Sequence, residues 1–167
     1  MESKTKLFGH PIHPMLVVFP LGLLMMAVIF DLIALGLGSG YWSGIAYYLI
    51  GAGIIGGLAA AVFGLIDWLA IPSNTRAKKV GLLHGAGNVV VLALFTVSCL
   101  MRRGSPENPG IAAMLVGVAG MGLALITSWL GGELVDRLGV GVDTGAHLNA
   151  PNSLSGRPTS DFSTTRR

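Results

Sequence analysis

Residues 46–71 read AYYLIGAGIIGGLAAAVFGLIDWLAI, an apolar run broken by one charged side chain, Asp67. An α-helix needs about 20 such residues to cross a hydrocarbon core roughly 30 Å thick. Lipid offers nothing to backbone N–H and C=O groups, so the run must close its hydrogen bonds internally as a helix. Three further runs, 15–37, 80–101 and 110–132, have the same character, and the four together contain only two acidic residues, Asp31 and Asp67. The fold class that follows is all-α: an integral membrane four-helix bundle.

The composition agrees. Of 167 residues, 52% are hydrophobic and 11% charged, whereas about a quarter of a soluble domain is charged. Mean hydropathy is +0.70. Residues 1–14 form a basic arm, 15–142 the membrane domain, and 143–167 a polar tail without apolar periodicity that is expected to be disordered. A secretory signal core is about 7–15 residues long; the first run is longer and carries Asp31, which favours a retained span. The single cysteine, Cys99, excludes an intramolecular disulfide, and no CxxCH haem-attachment motif is present.

Four crossings place both termini and the 72–79 loop on one side. That side carries Lys4, Lys6, Arg76, Lys78, Lys79, Arg137, Arg157, Arg166 and Arg167, against Arg102 and Arg103 on the other. The positive-inside rule makes the first side cytoplasmic, in a bacterial inner membrane. Tyr41, Trp42, Tyr47 and Tyr48 then mark the outer interface, Trp68 and Trp129 the inner one. Juxtamembrane charge facing anionic lipid accounts for the basic pI near 9.4 without nucleic acid as a partner.

Pro20 should bend the first helix, and 38–45 reads as a glycine-rich connection. Small residues recur at helical spacing: Gly53, Gly57, Ala60 and Gly64 share a face with Asp67, with Gly81 and Gly85 on the third helix and Ala113 and Gly117 on the fourth. Such faces let helices approach closely, or leave room for a flat cofactor. No internal repeat is evident beyond the succession of helices.

The topology gathers polar residues at the cytoplasmic end: His10 and His13 before the first helix, Asp67 ending the second, His84 opening the third with Asn88 a turn deeper, Glu133 closing the fourth, and His147 in the tail. An ionised group at membrane depth costs about 2.5–3.5 kcal/mol on insertion scales and is a functional candidate by default. Asp67 could instead brace His84 or the Trp129 indole. Asp31 falls near the opposite interface, where hydration or a contact with Ser39 or Ser43 is expected.

The segments Gly9-His10-Pro11-Ile12-His13-Pro14, Gly64-Leu65-Ile66-Asp67-Trp68, His84, and Gly131-Gly132-Glu133-Leu134-Val135 leading into Gly139-Val140-Gly141-Val142 resemble a bacterial four-helix membrane family, domain of unknown function 2231, over about residues 7–142. The resemblance implies membrane redox work beside a separate Rieske or cytochrome c protein. On that view His84 and His13, with His10 as substitute, bind haem b for electron transfer, and Asp67 fixes a tautomer. The alternative is a divalent-metal site for Zn, Fe or Mn built from His10, His13, His84, Asp67 and Glu133; a third is a cofactor-free scaffold. No catalytic motif is present, which suggests a redox carrier or binding subunit more than a stand-alone enzyme. Homo-oligomerisation is left open.

Overall fold

The computed structural model describes residues 1–161. Two short strands, β1 (Lys6–Leu7) and β2 (His10–Pro11), precede helices α1 (Ile12–Leu16), α2 (Val18–Leu37), α3 (Gly40–Ala70), α4 (Arg76–Met101) and α5 (Ile111–Gly132). A π-helical turn, Glu133–Arg137, extends α5. Four continuous spans result: Ile12–Leu37, Gly40–Ala70, Arg76–Met101 and Ile111–Arg137, each long and apolar enough to cross a membrane. The chain is an integral membrane four-helix bundle.

Local chemistry sets the helix ends. Pro14 lies in the first turn of α1, where its missing N–H removes nothing from the ladder. The expected bend at Pro20 falls three residues earlier, at Val17, where α1 gives way to α2. The proline ring collides with the carbonyl four residues back, so the ladder yields ahead of it. Gly38, in the left-handed region with φ 63°, closes α2. The α3 helix then starts at Gly40 rather than at residue 46, so the supposed connection 38–45 shrinks to two residues. Thr75 caps α4 by accepting from Lys78 N at 3.1 Å.

α2 packs mainly on α3, and α4 on α5, so the bundle is two helical hairpins side by side. Leu24, Ala27, Val28, Ala46, Ile50, Val91 and Phe95 form the core between them. Leu32, Leu35, Ile55, Val62, Leu83, Leu115 and Ile126 face outward, as lipid contact requires. The glycine faces are filled by the chain's own side chains. A Cβ on Gly53 would meet Leu24 at 2.6 Å, on Gly57 Leu92 at 2.6 Å, and on Gly81 Trp68 at 2.7 Å. Close packing, not a flat slot, is what these glycines provide here.

The N-terminal arm and the described part of the C-terminal tail lie at one end of the bundle. The arm forms a two-residue hairpin, Lys6 opposite Pro11 and Leu7 opposite His10. Its turn residues Phe8 and Gly9 have φ 52° and 84°, the positive values that tight hairpin turns require. The described part of the tail, 143–161, is irregular apart from a 3-10 turn at Ser153–Ser155, and it lies against this arm. Residues 162–167 of the expected disordered tail lie outside the described residues.

Candidate functional site

His13 sits in the first turn of α1 and His84 about two turns into α4 from its capped end. The two rings meet across the bundle, with centroids 6.4 Å apart and planes at 87°. The local geometry of the two is the same. His13 Nδ1 lies 2.8 Å from Ala60 O of α3, and His84 Nδ1 lies 2.8 Å from Thr127 O of α5. A carbonyl only accepts, so each Nδ1 carries a proton and donates it. Each Nε2 is therefore the nitrogen with the lone pair.

Each ring also rests on a glycine four residues beyond its carbonyl. A Cβ on Gly64 would sit 2.8 Å from His13 Cε1, and one on Gly131 would sit 3.1 Å from His84 Cε1. Any side chain there would push the imidazole off its carbonyl. The GLID and GGEL segments thus matter for what their glycines omit.

Around His84 the network continues. Asn88 Nδ2 lies 3.2 Å from His84 Nε2 and donates to His84 O at 2.9 Å. Thr127 Oγ1 donates to Asn88 Oδ1 at 3.0 Å, which turns the amide nitrogen toward the ring. The position of Asn88 on the same face, one turn on, is as the helical spacing predicts.

The remaining candidates are engaged elsewhere. Asp67 accepts from Ser3 Oγ at 2.7 Å and from the Lys4 backbone N–H at 2.8 Å. It ties the arm to α3 and braces neither His84 nor Trp129. The tautomer-fixing role expected of it belongs to the carbonyls of Ala60 and Thr127. Trp68 Nε1 donates to Lys78 O at 3.1 Å. Glu133 pairs with Arg76. His10, on β2, lies 3.3 Å from Ser153 Oγ in the tail. His147 Nδ1 accepts from Asn149 N at 3.3 Å. The five-residue metal set is therefore not assembled: among the described residues no three His, Cys, Asp or Glu side chains are grouped around one point.

Sequence reasoning missed a second polar centre at the opposite end. Asp31 is 4% exposed and Arg102 1%. Arg102 Nη1 and Nη2 donate to the two carboxylate oxygens of Asp31, each at 3.0 Å. Ser98 completes the arrangement, its Oγ accepting from Arg102 Nη2 at 3.0 Å and its carbonyl from Nε at 3.3 Å. Asp31 is neither hydrated nor in contact with Ser39 or Ser43. Arg102, counted among the charges of the outer side, lies eighteen residues beyond His84, as Asp31 lies eighteen beyond His13. Equal depth was the available signal.

Two hollows lie away from the imidazoles. An apolar groove of about 440 Å³ on the hairpin of α2 and α3 is lined by Val18, Phe19, Gly22, Leu23, Met26, Phe30 and Leu49. A second, of about 260 Å³, lies at the far end between Tyr48 and the Ser105–Asn108 loop.

Comparison with curated proteins and with solved structures returns no match. A family profile described as "Predicted membrane protein (DUF2231)" matches residues 9–144, which include both histidines, both glycine seats and the buried ion pair. The chain belongs to that family of membrane proteins, domain of unknown function 2231.

Proposed function

We propose that His13 and His84 are the two protein ligands of a single transition-metal ion, held at the cytoplasmic end of a bacterial inner-membrane protein and used for redox work or metal handling. The observation that carries this reading is the matched pair of imidazoles. Each has its Nδ1–H committed to a carbonyl, the arrangement that orients histidine ligands and makes Nε2 the lone-pair nitrogen. At His84 the Asn88 amide, 3.2 Å from Nε2, has to turn aside for a metal to bind there. A metal about 2 Å from an imidazole nitrogen sits roughly 3 Å from the ring centre. Two ring centres 6.4 Å apart are at the separation that one ion bound by both imidazoles needs. Zinc and iron fit imidazole donors; manganese prefers carboxylate and water, and Asp67 and Glu133 are occupied elsewhere. The excess of Lys and Arg at the terminal end supports the cytoplasmic assignment.

The second reading is a b-type haem with the same two histidines as axial ligands, exchanging electrons with a separate Rieske or cytochrome c protein. The 6.4 Å separation of the ring centres favours it, since two axial imidazoles lie about that far apart across iron. The packing opposes it. Glycine faces that would need to open for a macrocycle are filled by Leu92, Trp68 and Thr127.

Metal analysis and visible absorption of the protein purified in detergent test both readings. About one equivalent of zinc or iron without a Soret band, lost in His13→Ala and in His84→Ala, is the expected result. A Soret band lost in the same variants transfers the assignment to haem. Neither metal nor colour, with no uptake of added zinc or iron, overturns the site.

A further inference from the structure

We infer that the chain is two copies of one helical hairpin, related by a pseudo-twofold axis along the bundle, and that Asp31 and Arg102 are the pair on that axis that locks the first copy to the second.

The inference starts from contacts. Adding 71 to a position in the first span and 67 to one in the second gives its counterpart in the other hairpin. His13 on Ala60 O and Gly64 becomes His84 on Thr127 O and Gly131, and both sets of contacts are present. Leu24 filling the space beside Gly53 becomes Phe95 filling the space beside Gly120, again both present. Many buried positions follow the same rule, Ala27 and Ser98, Asp31 and Arg102, Ala46 and Ala113, Ile50 and Gly117, Ala60 and Thr127, whereas buried Val28, Ala34, Ser43 and Gly57 have counterparts that are not buried. One pair of ends agrees too, α3 stopping at Ala70 and the extended α5 at Arg137.

A residue that touches its own symmetry mate must lie beside the axis. Two such pairs exist. His13 meets His84 at the terminal end, and Asp31 meets Arg102 at the far end. Eighteen residues at 1.5 Å each separate the pairs by about 27 Å along the helices. Both hairpins begin on the same side, so the axis runs along the membrane normal, as for parallel transporter repeats.

At the terminal end the two mates are identical; at the far end they carry opposite charges. Like charges at those positions would repel at a point with almost no water. Opposite charges therefore favour pairing of the first hairpin with the second over pairing of like with like. The asymmetry extends one turn back, where Ser98 supports Arg102 and its counterpart is Ala27.

Equivalence predicts that the two halves of the lock can trade places. Full-length Asp31→Arg and Arg102→Asp should each melt on the order of 10 °C below wild type in detergent, since each leaves two like charges buried. The exchanged chain, Ala27→Ser, Asp31→Arg, Ser98→Ala and Arg102→Asp together, should recover most of that loss. If the single variants cannot be purified, the recovered yield of monodisperse exchanged protein is the readout. An exchanged chain that melts no higher than the worse single variant, or is recovered no better, overturns the inference.

Discussion

One methyl group separates Gly64 from a residue that His13 could not accommodate. A Cβ there would lie 2.8 Å from the ring, with the Ala60 hydrogen bond behind it. Gly64→Ala should therefore destabilise the bundle by roughly 1–3 kcal/mol, as overpacking does, and displace His13 from its carbonyl. Gly85 has nothing within 4 Å of its would-be Cβ. Gly85→Ala should be neutral or stabilising by up to about 1 kcal/mol, the helix-propensity difference. Thermal melts of the two variants in one detergent check the contrast; equal melting would contradict the ring-on-glycine geometry. At this scale the sequence was half legible. His13 and His84 stood out as polar groups in apolar surroundings, and the helical face gave Asn88. Their partners were backbone carbonyls, which have no sequence signature, and Asp67 was a plausible but incorrect substitute.

At the scale of elements, hydropathy marks the helices because every lipid-facing backbone group must be satisfied within its own segment. It does not mark α3 residues 40–45, where Gly40, Ser43 and Gly44 suggest a loop while packing at the far end holds them helical. The arm is likewise readable only in outline. Its proline-rich ending precludes a long helix, but the hairpin depends on Asp67, sixty-three residues beyond Lys4. Asp67→Ala removes the acceptor for Ser3 and Lys4, so residues 1–8 should lose protection in hydrogen exchange while α3 keeps its own. Unchanged protection of the arm would show that Asp67 does not hold it.

The arm is also tied to the tail by charge. Lys6 pairs with Asp143 and Glu2, and across the same junction Gly141 N–H donates to Met1 O while the Met1 amino group donates to Gly139 O. Hydrogen bonds that Lys6 donates to Asp143 and Glu2 raise the Lys6 pKa, and the same ammonium lowers that of Glu2. The signs fix a window. The Glu2 contribution is complete above its ordinary value of 4.5 and is lost as pH falls through the lowered one; the Lys6 contribution is complete below 10.5 and is lost as pH rises through the raised one. Proteolysis near residues 1–6 and 139–146 should stay slow between those limits and accelerate on the acid side. Flat rates across the acid limit would contradict the clasp.

For the molecule as a whole, four crossings with both termini at one end were legible from charge and hydropathy alone. The pairing of the hairpins was not. Under the two offsets identity survives at His13 and His84, Gly53 and Gly120, and Gly64 and Gly131. Otherwise it falls on common apolar residues such as Val18 and Val89, Leu21 and Leu92, Leu23 and Leu94, Ala46 and Ala113, Ala52 and Ala119, and Leu58 and Leu125. That is too sparse to stand out among apolar residues, where small side chains recur for packing alone. The contacts reveal the repeat because geometry constrains which residues touch more tightly than it constrains their identity. One expectation drawn from the spacing of small residues, a flat cofactor on the glycine faces, meets Leu24, Leu92 and Trp68 at Gly53, Gly57 and Gly81, while Gly85 faces open space.

The central claim is that this threading brings His13 and His84 together. In intact membranes, a Cys99→Ser chain carrying His13→Cys and His84→Cys should be joined within one molecule by a short bis-maleimide, shifting its mobility, while either single-cysteine chain should not. Labelling of both cysteines without that intramolecular link would place the two positions apart and contradict the account.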